Sequence, residues 1–207
     1  MWRDAALVAA KDLRIEARSR VGVQQVGPFA LVVLVLFALA FDADHDLLRH
    51  TAAGLFWVVV LFAAVLLVQR SFGVETQGAR DGLRLAALDP AGVFLGKAAA
   101  VAAQLLALEV VLGIGVAVLY STSLRDGLLL VSSAALATVG LAAAGTVYGL
   151  VATAVGVPAA LLPLLLLPVV SPVLLAAARC WEAALCFGGP GAGWLRILIV
   201  FAVVYLA

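Results

Sequence analysis

Charge is what this chain has least of. Asp, Glu, Lys and Arg make up 12% of its 207 residues, about half of the roughly 25% usual in soluble domains. Two thirds of the residues are apolar (66%), and a globule of this size lacks the polar surface to cover them. A soluble enzyme is therefore all but excluded, and so is disorder, which needs a charge-rich and apolar-poor chain. Histidine and cysteine number two each. Cys180 and Cys186 are not spaced as C-x-x-C, which argues against a redox pair. No Ser/His/Asp set, metal-ligand cluster or nucleic-acid signature is present. A phosphate-binding loop is also missing. Gly92-Val-Phe-Leu-Gly96-Lys97-Ala98 comes near it, but has three residues between the glycines instead of four and Ala98 where Ser or Thr is needed. The chain is thus expected to bind no ATP itself.

What is there is a series of long apolar runs, with a mean hydropathy of +1.20. At roughly 20 residues per crossing, the length allows five to seven membrane helices and no soluble domain of normal size. The expectation is an all-α polytopic membrane protein, one permease-like domain over 1–207, with spans at about 26–41, 52–68, 98–120, 128–153, 158–178 and 193–207. The runs are continuous and rich in Ala, Leu and Val, unlike the alternating segments of a membrane β-barrel. Five cations (Arg3, Lys11, Arg14, Arg18, Arg20) precede the first run, and four (Arg70, Arg80, Arg84, Lys97) lie between the second and third. Nine of thirteen cations then share one side of a six-span arrangement, which the positive-inside rule makes cytoplasmic, with both termini. The opposite loops would be 42–51, 121–127 and 179–192. Asp4, Asp12 and Glu16 interrupt the start of the chain, so a cleavable signal peptide is not expected. Residues 1–22 read instead as an amphipathic helix in the headgroup plane. Trp2, Ala5, Ala6, Ala9 and Leu13 form its small apolar stripe.

The longest polar stretch, 69–97, mixes charges of both signs with Phe72, Leu83, Leu85 and Leu88. Leu85 and Leu88 would share a face of a short helix, which Asp89-Pro90 ends while starting another. An apolar face with charged flanks, held just outside the membrane, suits docking to a protein partner. The stretch is longer than a plain connector.

Three segments resemble the CcmB (haem exporter protein B) family. The leader 11–20 is similar to that family's N-terminal segment. The loop resembles its pattern of Arg-x-Phe, an acidic residue, Gly-x-Leu, leucines, Pro and Gly-Lys, here Arg70, Phe72, Glu75, Gly82, Leu83, Leu85, Leu88, Pro90, Gly96 and Lys97. The Pro-rich run 161–178 resembles its fifth span. Gln69 stands where the family usually has Glu, and Arg84 where relatives are often acidic or neutral. The resemblance implies a six-helix permease subunit of the ABC-2, type V exporter kind in the bacterial inner membrane. Its loop would couple to a CcmA-like ATPase through Arg70, Phe72, Glu75, Arg80, Asp81, Gly82, Leu83, Leu85 and Leu88. A second copy of the chain, a CcmC-like haem-handling subunit and a CcmD-like small subunit would complete the complex. Haem would be handled by that complex and passed through the chaperone CcmE toward apocytochrome c. ATP would be bound by the partner, with no cofactor resident in this chain. An ABC-2 exporter subunit for a drug or lipid shares these features. A stand-alone secondary carrier or a scaffold is a further alternative, which a single Pro-broken span disfavours.

Inside the apolar runs, Glu109 and Gln104 are the polar candidates. A carboxyl at mid-membrane marks a functional site by default, and a hydrogen-bonded packing residue is the plainer reading. Pro163, Pro168 and Pro172 are expected to kink the fifth span. Gly145-x-x-x-Gly149 matches the close-packing pattern of membrane helices. Cys180 and Cys186 would fall on the outer side, where a disulfide could close. His45 and His50 read as solvated loop residues, and Trp57, Trp181 and Trp194 as interface anchors.

Overall fold

The apolar runs become helices, and capping chemistry sets where several of them begin and end. The computed structural model describes residues 1–19, 25–41, 45–73, 89–120, 126–156, 161–187 and 191–206. Every regular element among them is helical: α1 (Trp2–Ser19), α2 (Gly27–Ala40), α3 (His45–Gly73), α4 (Pro90–Leu119), α5 (Gly127–Val155), α6 (Leu162–Glu182) and α7 (Gly191–Leu206). A π-helical turn, Ala183–Phe187, continues α6. α4 starts where Asp89-Pro90 predicts. The Asp89 carboxylate accepts the Ala91 N–H at 3.1 Å, and Pro90 occupies a position whose N–H has no helical partner. The Asp126 carboxylate caps α5 by accepting from Leu129 at 3.0 Å. Gly156 closes α5 in the left-handed region at φ 73°, which costs glycine little because it has no Cβ.

Four helices are long and apolar enough to cross a membrane: Asp46–Phe72, Pro90–Leu119, Gly127–Val155 and Leu162–Leu185. α2 and α7 are apolar but shorter, at 14 and 16 residues. α5 is the central helix, packing against α3, α4, α6 and α7. It buries small residues from Gly140 to Gly149, which lets neighbouring backbones approach where lipid supplies no hydrophobic drive between helices. A Cβ on Gly145 would lie 2.6 Å from Cγ2 of Val68, and one on Gly149 would overlap the Phe72 ring. The Gly145-x-x-x-Gly149 pattern is thus the seam between α5 and α3. α2 is tied on by the Tyr120 hydroxyl, which donates to the Leu34 carbonyl at 3.0 Å. Leu106, Val110, Ile114 and Val118 of α4, spaced four apart, remain exposed.

Several expectations need correction. α3 begins at His45, so Asp46, Arg49 and His50 lie on its first turns and not in a loop 42–51. A helix already nucleated extends cheaply past its apolar stretch, and Asp46 suits the positive N-terminal end. α6 and its π turn run through Phe187, replacing most of the expected loop 179–192. Pro163 lies in the first turn of α6, where it disturbs nothing. Only Pro168 and Pro172 fall inside the helix. Pro172 has no N–H to offer the Pro168 carbonyl, and the Ser171 hydroxyl donates to that carbonyl instead at 2.9 Å.

Trp57 and Trp181 are not interface anchors. Trp57 is 1% exposed, and Trp181 stacks on Phe56 with centroids 3.9 Å apart. Cys180 is a buried free thiol whose Sγ lies 3.6 Å from the Gly191 carbonyl oxygen, so it is neither in an outer loop nor in a disulfide. The side chain of Cys186 lies outside the described residues. So do Glu75, Arg80, Asp81, Gly82, Leu83, Leu85 and Leu88.

Candidate functional site

The polar stretch between α3 and α4 has two roots, and both are fastened to α1. At one end of the bundle, the C-terminal turns of α3, the N-terminal turns of α4 and the C-terminal turns of α5 come together. α1 packs across α4 there. The approach is close because of Gly92 and Gly96. A Cβ on Gly92 would lie 2.9 Å from the Met1 carbonyl oxygen, and one on Gly96 would lie 2.6 Å from the Ala5 carbonyl oxygen and from Cβ of Val8. The near-miss phosphate loop is therefore a Gly-x-x-x-Gly packing surface. Ala5 and Val8 are buried in it, so part of the apolar stripe expected to face lipid faces α4.

Asp12 and Glu16 lie four residues apart on α1 and share a face. Arg70 Nε of α3 is 3.2 Å from Glu16 Oε2. Lys97 Nζ of α4 is 3.6 Å from Asp12 Oδ2, and Asp12 Oδ1 is 3.0 Å from Lys11 Nζ. Lys97 is 1% exposed, so its ammonium is almost wholly removed from solvent. Its Nζ stands 5.0 Å from the Phe72 ring centroid, within the range where a ring face attracts a cation. Phe72 is buried and its ring fills the space left by Gly149. Arg70 and Phe72, singled out from the sequence, are thus brought together with Lys97, Asp12 and Glu16. The two acids were missed. Their only signal was a pair of carboxylates at helical spacing within a basic leader.

A second polar point lies in the middle of the bundle. The Thr138 hydroxyl of α5 donates to Glu109 Oε1 of α4 at 2.5 Å. Glu109 is 6% exposed, and its Oε2 has no hydrogen-bond partner among the described residues. Gln104 is half-buried and does not join this pair. No group of His, Cys, Asp and Glu able to hold a metal occurs among the described residues.

Apolar helices of crossing length, a core seamed by small residues and a polar clamp at one end define a multi-pass helical membrane protein. No curated protein and no solved structure matches the chain. A family model described as CcmB protein matches residues 3–207, nearly the whole chain, so the chain belongs to the CcmB family. That family is the membrane subunit of the ABC-type haem exporter of cytochrome c maturation. Membership selects this class over a drug or lipid exporter subunit and over a stand-alone carrier.

Proposed function

We propose that this chain couples ATP hydrolysis in a separate, CcmA-like subunit to haem delivery, or to release of the haem-loaded chaperone, outside the cytoplasmic membrane. The supporting observation is the clamp. Arg70 and Lys97 sit at opposite roots of the polar stretch, and both pair with α1. A push on that stretch by a docked ATPase would reach α3, α4 and α1 together. Through Phe72 against Gly149 it would also reach α5.

In this reading α2 and α7 also cross, giving six spans. Their lengths of about 21 and 24 Å at 1.5 Å per residue fall short of the roughly 30 Å core. Flanking residues or local thinning of the bilayer would make up the difference. Both termini and the clamp then face the cytoplasm, where α1 lies along the membrane surface. The chain holds no ATP site of its own. It works as a pair of copies beside the ATPase, with CcmC-like and CcmD-like subunits completing the complex.

The test is co-purification from detergent. Substituting Arg70, Phe72 and Gly82 together should release the ATPase, or leave it bound with hydrolysis no longer linked to cytochrome c assembly. A bound and fully coupled ATPase after all three changes refutes the coupling role.

A further inference from the structure

α1 sorts its charges by sign. Its acids point inward: Asp12 and Glu16 hold Lys97 and Arg70, and Asp4 is half-buried beside Gly92. Lys11 is half-buried and paired with Asp12. Arg3, Arg14 and Arg18 are exposed. At 3.6 residues per turn these three fall within about 60° of one another around the helix, along about 22 Å of its length. The face between the arginines and the buried seam carries Trp2, Ala6, Ala10 and Leu13, all exposed, with Trp2 at 75%. α1 therefore has three faces: one against α4, one apolar and uncovered, and one whose charges are all cationic, with the exposed Leu7 among the arginines.

We infer that the cationic face of α1 binds the phosphate headgroups of anionic phospholipids, with the apolar face beside it sunk among the upper acyl chains. This rests on the placement of α1 at the membrane surface proposed above. Charge complementarity selects the partner. Every outward charge is positive, and guanidinium matches phosphate in a two-pronged geometry. A soluble acidic partner would leave the adjoining Trp2 and Leu13 uncovered, whereas a lipid has both the anion and the chains. The seam at Gly92 and Gly96 holds a different face of α1 to α4, a helix long and apolar enough to cross a membrane.

The test reads Trp2 fluorescence in the full chain, reconstituted in vesicles of phosphatidylglycerol and phosphatidylcholine, with one lipid or the other brominated near the glycerol. Subtracting the signal of a Trp2→Phe variant isolates Trp2. Brominated phosphatidylglycerol should quench at least about twice as strongly as brominated phosphatidylcholine at equal mole fraction, since an anionic surface attracts each nearby Lys or Arg by about 1 kcal/mol. The ratio should fall to parity in the Arg3→Gln/Arg14→Gln/Arg18→Gln variant. It should also fall in the unaltered protein at about 1 M salt, where the screening length is about 3 Å, so the outcome does not depend on the variant folding. Equal quenching by both lipids in the unaltered protein overturns the inference and leaves α1 on the membrane. Absence of quenching by either overturns the surface placement as well. A preference that survives the triple substitution removes the arginines from it.

Discussion

Lys97 is a cation in an apolar bundle, held by Asp12 of α1 and the Phe72 ring of α3. Removing one member of a buried ion pair leaves the other charge uncompensated, at a cost of about 3 kcal/mol. Asp12→Asn or Lys97→Met alone should therefore lower the thermal unfolding midpoint in detergent. The double variant should recover most of the loss, since neither charge is left behind. Losses that simply add would show that the pair is not coupled. Glu109 is a buried carboxyl in the apolar interior. Glu109→Gln keeps an oxygen to accept from Thr138, so membrane levels of the protein should match the unaltered chain while cytochrome c assembly fails. Thr138→Val takes away the hydroxyl that donates to the carboxyl, and a loss of about 1–3 kcal/mol in stability is expected. Full assembly activity of the Gln variant would reduce Glu109 to a packing residue.

At the scale of elements, the contact between α1 and α4 depends on two glycines. Gly96→Leu would drive a side chain into the Ala5 carbonyl and Val8, so α1 should detach and become sensitive to added protease while α3 to α7 stay resistant. Unchanged protection of α1 would mean that the seam is dispensable. Helix existence was legible in the apolar runs, and one start was legible in Asp89-Pro90, because a side-chain cap and a missing N–H are local chemistry. The start of α3 was not. Asp46, Arg49 and His50 look like loop residues by polarity, yet they sit on turns that the following apolar helix stabilises. The end of α6 was hidden for a similar reason: Trp181 and Cys180 read as edge residues, but their partners, Phe56 and the Gly191 backbone, come from other helices.

At the scale of the whole molecule, the scarcity of charge has a definite placement. The described ion pairs lie chiefly where α1 meets α3 and α4, and the middle of the bundle holds the Glu109–Thr138 contact. Arg70 and Phe72 could be read from the sequence because they belong to a longer patterned stretch. Asp12 and Glu16 could not, since what joins them to Arg70 and Lys97 is folding over a long separation in sequence. In a chain this rich in Ala and Gly, spacing alone does not distinguish a working Gly-x-x-x-Gly from a chance one, and only the atoms opposite Gly96 and Gly149 decide it.

The position of α1 also sets an order of events in biosynthesis. α1 is translated before the surfaces that receive it, which are Arg70 near the end of α3 and Gly92, Gly96 and Lys97 on α4. Until α4 has been made, Asp12 lacks Lys97, and α1 lacks the Gly92 and Gly96 surface against which it packs. α1 is therefore made before α3 and α4 but reaches its final place only after them.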